Sequence, residues 1–194
     1  MPVMKRELAS KMYTPSTYFL GRFCSNMFIS LCYPVLIVLF IFWGIGIVPS
    51  LDNFLHMIAF GILSNMVFCG QGYFMGIWIN DENSCKTMNS FFVMFWLSTN
   101  GVIANLTQVN WFINGLAHIS PLRFAGEGIT RTLVKQIPNL NAATDGKITI
   151  SPEDVLNTLG FTWGNQYCFC ALIIWVGVWI TLSLILINYK YGWN

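Results

Sequence analysis

Polar and apolar positions in this 194-residue chain are sorted into blocks. Four stretches carry no Asp, Glu, Lys or Arg: residues 23–51, 53–80, 87–122 and 155–189. An α-helix rises about 1.5 Å per residue, so about 20 apolar residues cross the roughly 30 Å hydrocarbon core of a bilayer. Each stretch is long enough. Inside lipid every backbone N–H and C=O needs a partner within the protein, and apolar segments of this length find one as helices. The pattern predicts an all-α integral membrane protein with four transmembrane helices, at roughly residues 23–48, 54–79, 88–104 and 166–188. A re-entrant or amphipathic segment and an external loop separate the third from the fourth.

Punctuation between the blocks refines this. Thr14-Pro15-Ser16 reads as a helix start, with Thr14 as N-cap and Pro15 at the first helical position. Residues 6–13 then form a short helix of their own, and a second helix runs from Pro15 into the first span. Residues 49–52 read as a tight turn and 80–86 as a short polar loop. Beyond residue 104, Asn105, Thr107, Gln108, Asn110, Asn114 and His118 interleave with Trp111, Phe112, Ile113 and Leu116. That alternation suits a segment lying at the membrane boundary. Pro121 breaks it, and residues 122–134 predict another short helix. Within the loop that follows, Ser151 caps a small helix, with Pro152 first and Glu153 and Asp154 at the positive end of the helix dipole. The chain divides into a cytoplasmic segment (1–22), three transmembrane helices (23–104), re-entrant helices and external loop (105–165), and a last transmembrane helix with a short tail (166–194).

Charge sets the orientation and removes several function classes. Only 9% of residues are charged, against about 25% in a soluble chain. That is too few to coat a soluble enzyme, and a net charge of +2 gives no basic face for nucleic acid. Lys5, Arg6, Lys11, Arg22, Lys86 and Lys190 all fall on one side of a four-span topology. The positive-inside rule puts that side, with both termini, in the cytoplasm of a multi-pass protein. No apolar core precedes the basic residues of the first segment, so it is not read as a signal peptide.

Candidate chemistry is sparse. The sequence contains no GxxxxGK[ST], HExxH or GxSxG, so no catalytic, metal or cofactor residues are predicted in it. His56 and His118 read as interfacial residues, and the six cysteines as packing residues. Gly70, Gly72 and Gly76 predict close helix approach. Pro34, inside the first span, frees the carbonyl one turn earlier. Phe91, Phe92, Met94, Phe95 and Trp96 suit either an adaptable pocket wall or lipid-facing packing. Asn105-Leu106-Thr107 is a glycosylation sequon on the predicted outer side.

Several segments together resemble a known family. Residues 7–22, ELASKMYTPSTYFLGR, are similar to the intracellular loop of G-subfamily ABC transporters, the white and breast-cancer-resistance type. Residues 100–106 followed by Trp111 resemble the end of that family's fifth helix. Residues 118–127, HISPLRFAGE, resemble its re-entrant Ser-Pro-x-Arg-Tyr-x-x-Glu signature, and 153–161 the small helix before its sixth span. The resemblance implies the C-terminal part of an ABC type-2 membrane domain, holding helices three to six. It implies a coupling segment at Glu7, Lys11, Tyr13 and Tyr18, substrate-cavity positions at Met94 and Leu97, and an apolar gate at Val102 and Ile103. It also implies a re-entrant motif carried by Pro121, Arg123 and Glu127. Leu31 and Ile29 depart from residues found in some members, and the family's Asn-Glu-Phe is replaced around residues 132–134.

The functional expectation follows from that resemblance. The chain is expected to be the membrane part of an ATP-driven half-transporter moving an apolar or amphipathic substrate: a lipid, sterol or xenobiotic. ATP and magnesium would bind a nucleotide-binding domain supplied in cis or trans. A second half-transporter, in a homo- or heterodimer, and the lipid bilayer are the other expected partners. The alternative is a truncated or free-standing membrane subunit or scaffold without transport activity of its own.

Overall fold

Asp81 shows how the helices are set. Its side chain accepts hydrogen bonds from the Ser84 N–H at 2.8 Å and the Ser84 hydroxyl at 2.7 Å. These bonds hold its carboxyl below the usual range, the backbone N–H contributing most. The cap starts a helix at Glu82, so the polar loop expected over 80–86 is shorter than predicted. The computed structural model describes residues 14–45, 50–101, 110–134 and 152–191. Among these residues there are seven helices and no strand: α1 (Pro15–Ile45), α2 (Leu51–Trp78), α3 (Glu82–Ser98), α4 (Trp111–Ala117), α5 (Pro121–Val134), α6 (Pro152–Thr158) and α7 (Asn165–Tyr191).

Three described segments are long and apolar enough to cross a membrane: Pro15–Gly44, Leu51–Trp78 and Asn165–Tyr191. The 17-residue α3 is shorter, about 25 Å at the usual rise. It stops at Ser98, before the expected end at 104, where Thr99 and Asn100 turn the chain back on Phe95 and Leu97. The helix expected over residues 6–13 lies outside the described residues.

The long helices pack in a fixed order. α1 runs antiparallel to α2, pairing Phe23 with Tyr73 at one end and Phe42 with Phe54 at the other. α7 runs parallel to α2, pairing Phe60 with Phe169, Gly70 with Trp179, and Ile77 with Ile187. A Cβ added to Gly70 would lie 2.9 Å from the Trp179 Cβ, so only glycine permits this approach. Gly72 has nothing within 4 Å and makes no close approach among the described residues. The terminal end of the bundle, where Pro15 and Tyr191 sit, is tied by Ser16 Oγ donating to Asn188 at 2.8 Å and Lys190 Nζ donating to the Ile77 carbonyl at 2.7 Å.

At the opposite, crown end, α5 wedges between α2 and α7. Gly128 lies directly on the Phe60 ring, where a Cβ would come within 2.4 Å of it. Phe60, Val67, Phe124, Ala125, Cys168 and Leu172 form the core there. The outside is no less apolar than the inside: Phe28, Phe40 and Trp43 of α1 and Ile174 and Ile185 of α7 are exposed. A soluble protein rarely leaves so much contiguous apolar surface bare. Lipid covers it at no cost, and close packing with internal hydrogen bonds holds the helices together.

Pro34 gives one such bond. It cannot donate to the Ser30 carbonyl, and Asn65 Nδ2 of α2 does so at 2.7 Å. Gly61, one turn before Asn65, makes room for the ring: its added Cβ would sit 3.0 Å from the Pro34 Cβ.

Candidate functional site

Two groups of residues separate from the packed body: a buried ladder of charges in the crown and an open face on α3. The ladder starts from spacing. Arg123, Glu127 and Arg131 follow at four-residue steps on α5, so one helix face alternates positive, negative and positive. Arg123 is 1% exposed and Glu127 is 0% exposed. Burying such charges costs more than their pairing returns unless hydrogen bonds fill the balance.

Most of those bonds come from the turn between α6 and α7. Gly160 takes φ 74, a left-handed conformation that suits glycine. The Gly160 N–H donates to the Asn157 carbonyl and the Phe161 N–H to the Leu156 carbonyl. This is the Schellman pattern, and buried Phe161 and Leu156 supply its apolar contact. The turn aims the Gly160 carbonyl at Arg123 Nη2, 3.0 Å away. Three residues on, the Trp163 N–H donates to Glu127 Oε1, which also accepts from Arg131 Nη2 at 3.3 Å. Burial pushes the Glu127 carboxyl up, against the Trp163 N–H and the two arginines. Burial also pulls Arg123 down, against the Glu127 charge. Ser120 Oγ, Arg123 Nε, Glu127 Oε2 and Arg131 Nε are buried without a hydrogen-bond partner among the described residues. The ladder therefore orients α5 against the α6–α7 turn more than it stabilises either.

His118 closes the ladder toward α4. Its Nδ1 lies 3.0 Å from Arg123 Nη1 and 2.7 Å from the Asn114 carbonyl. A single ring nitrogen serves one of them at a time. Protonated on Nε2, the ring accepts from Arg123; protonated on Nδ1, it donates to Asn114. Asn100, just past α3, packs against Gly126, whose added Cβ would stand 2.7 Å from the Asn100 Oδ1. The crown thus touches the end of α3.

α3 itself is held along one edge. Trp96 is its buried residue, with Nε1 donating to Gln71 Oε1 of α2 at 2.9 Å and the indole edge-on to Trp175 of α7. Gln71 is 0% exposed and passes the chain on through Nε2 to Asn89 at 3.4 Å. The opposite edge is bare. Phe91, Met94 and Leu97 succeed one another at three-residue steps and are 63%, 66% and 37% exposed.

The site residues expected from sequence fall in different places. Met94 and Leu97 share the open face of α3. Pro121, Arg123 and Glu127 are buried together in α5. Tyr18 is half-buried on the first turn of α1, beside Phe19 and Phe23 at the terminal end. Glu7, Lys11, Tyr13, Val102 and Ile103 lie outside the described residues. Sequence reasoning passed over Gly160, Trp163, Gln71 and Asn65. Only Gly160 carries a local signal, a glycine followed by a buried aromatic just past a short helix.

A model of the ABC-2 type transporter family matches residues 1–134. The chain is 26% identical over 171 residues to the protein white of Ceratitis capitata, covering 84% of this chain and 24% of that protein. To the protein white of Drosophila melanogaster it is 24% identical over 165 residues, with the same coverage of 84% and 24%. To ABC transporter G family member 21 of Arabidopsis thaliana it is 24% identical over 119 residues, 61% of this chain and 17% of that protein. The chain thus spans about a quarter or less of the length of these relatives.

Proposed function

The chain belongs to the ABC-2 type transporter family, with white and G-family transporters among its relatives, and from that premise we propose that it is the membrane-spanning part of an ATP-driven half-transporter for an apolar or amphipathic substrate. The observation that carries the reading is the open face of α3. A membrane helix anchored through one buried tryptophan presents Phe91, Met94 and Leu97 outward. Flexible methionine beside aromatic rings adapts to varied apolar ligands. Two such faces, one from each half-transporter of a homo- or heterodimer, enclose a cavity.

In this reading α1, α2, α3 with the residues up to 104, and α7 are the four spans. α4 and α5 form the re-entrant segment, the external loop follows, and the terminal end faces the cytoplasm. The sequence contains no GxxxxGK[ST] loop to cradle a triphosphate and its magnesium. They belong to a nucleotide-binding domain in cis or trans. That domain pushes on Glu7, Lys11, Tyr13 and Tyr18. The stroke enters α1 at Tyr18 and spreads to α7 through Ser16–Asn188 and to α2 through the Phe19–Tyr73 contact. Substrate leaves the cavity past Val102 and Ile103, an apolar constriction that opens on the stroke. Pro121, Arg123 and Glu127 brace the exit side through the ladder.

The test is transport by the chain reconstituted in vesicles with its nucleotide-binding domain. ATP-dependent movement of an amphipathic dye is expected, slowed severalfold by Met94→Trp with Leu97→Trp and altered by Val102→Ala with Ile103→Ala. Transport unchanged by both pairs removes the cavity and gate assignments. No ATP-dependent movement at all favours a subunit or scaffold without transport activity of its own.

A further inference from the structure

His118 sits where α4 meets the crown, and two neighbours claim the same ring atom. Its Nδ1 lies 2.7 Å from the Asn114 carbonyl, an acceptor, and 3.0 Å from Arg123 Nη1, a donor. Nδ1 satisfies the carbonyl only when it carries a proton, and the guanidinium only when it does not. A neutral imidazole meets either need by its choice of tautomer. An imidazolium is protonated on both nitrogens, so it sets a second donor and a second positive charge against Arg123. The charged ring still suits Asn114, because His118 is the C-cap of α4, where the helix dipole favours a cation.

The surroundings leave that contest between Arg123 and Asn114. Glu127 lies one turn past Arg123 on α5, and its carboxylate already accepts from Trp163 and Arg131. Trp163 packs edge-on to the ring with centroids 6.4 Å apart, and Tyr167 of α7 packs on Trp163. Glu153 and Asp154 sit in the first turn of α6, at the end away from Gly160. Arg123 is a fixed post, buried and tied by Nη2 to the Gly160 carbonyl at 3.0 Å. α4 is not fixed in the same way. It has seven residues, too few to persist as a helix alone in water; Ala117 is its buried residue, and Trp111 and Phe112 are exposed. We propose that His118 is a pH-sensitive latch between α4 and α5: the neutral ring accepts from Arg123 and ties α4 to the buried ladder, and the imidazolium turns to the Asn114 carbonyl and releases α4. Imidazole changes charge between about pH 5 and 8. The latch itself needs no transport assignment. Which compartment works it rests on the orientation proposed above, in which the crown meets the outer or luminal solution.

The experiment is hydrogen exchange of the full chain in phosphatidylcholine nanodiscs between pH 8 and pH 5, read by mass spectrometry. Both faces of a nanodisc share one pH, so the result does not depend on how the chain is oriented in a cell. After scaling for the intrinsic pH dependence of amide exchange, residues 111–120 should exchange at least threefold faster at pH 5 than at pH 8. Residues 165–191 should stay within experimental error. The midpoint of the change should coincide with the titration of His118 itself, followed in the same samples by exchange of its imidazole C2 hydrogen. His118→Asn, which offers an acceptor in place of Nδ1 and does not titrate, should abolish the difference. Unchanged exchange over 111–120 in the unmutated chain overturns the proposal. So does a midpoint apart from that of His118, or an equal change in His118→Asn, because Glu127 is retained there and would then be the titrating group. The unmutated chain alone supplies the first two outcomes, so a variant that fails to fold does not blunt the test.

Discussion

Asn65 supplies, from a neighbouring helix, the hydrogen bond that Pro34 takes away: its Nδ2 stands 2.7 Å from the Ser30 carbonyl. A buried carbonyl left without a donor costs about 1–3 kcal/mol, and side-chain bonds within membranes average about 0.6 kcal/mol. Asn65→Ala should therefore lower the unfolding midpoint in detergent. In a Pro34→Ala background, residue 34 donates to Ser30 itself, and the same substitution should cost much less. Equal costs in both backgrounds, read by a double-mutant cycle, would show that Asn65 acts elsewhere.

Gly70 and Gly72 lie on one helix two residues apart yet differ in surroundings. Gly70→Ala drives a methyl against Trp179 and should destabilise by about 1–3 kcal/mol. Gly72→Ala meets nothing and should leave stability unchanged or raise it by up to about 1 kcal/mol. Thermal unfolding of the two variants checks this. If Gly72→Ala instead weakens self-association, the face it sits on is a seam between two copies.

Glu127 predicts a pH dependence with a definite sign. Burial raises its carboxyl, so the folded chain holds a proton more readily than the unfolded one. Between the ordinary carboxylate value and the raised one, stability falls as pH rises and recovers on acidification. Compared with Glu127→Gln, which cannot titrate, the natural chain should gain stability as the pH falls toward the ordinary carboxylate value. A loss over that interval contradicts the direction. Glu127→Ala, which strips Arg131 and the Trp163 N–H of their acceptor, should cost about 3–5 kcal/mol.

Cys85 reports orientation. It sits in the first turn of α3 at the terminal end, partly exposed. With that end in the cytoplasm, a membrane-impermeant maleimide should modify it in permeabilised cells and leave it intact in sealed ones, read on the Cys85 peptide. Modification in sealed cells reverses the topology.

Reading the charge-free blocks was sufficient for α1, α2 and α7, because a bilayer demands long apolar runs and little else produces them. α3 was less legible. Its polar first turn, Glu82 to Lys86, looks like loop until Asp81 is seen to cap it. Pro121 and Pro152 marked two short helices correctly, since proline at a first helical position has a local cause. Arg123 and Glu127 stood out through their resemblance to a signature, but their partners did not. Gly160 and Trp163 are brought to α5 from more than thirty positions away, and no periodicity encodes that meeting. Gln71, an amide within an apolar run, has no local signal either, yet it is the acceptor for Trp96.

The parallel course of α2 and α7 has a consequence for biogenesis. The ribosome delivers α2 long before α7, and the chain must travel back to the crown through α3 to α6 in between. Throughout that interval Gly70 and Phe60 wait without Trp179 and Phe169. A nascent chain released before residue 165 is thus left with a bare groove down its centre, a natural mark for quality control to recognise.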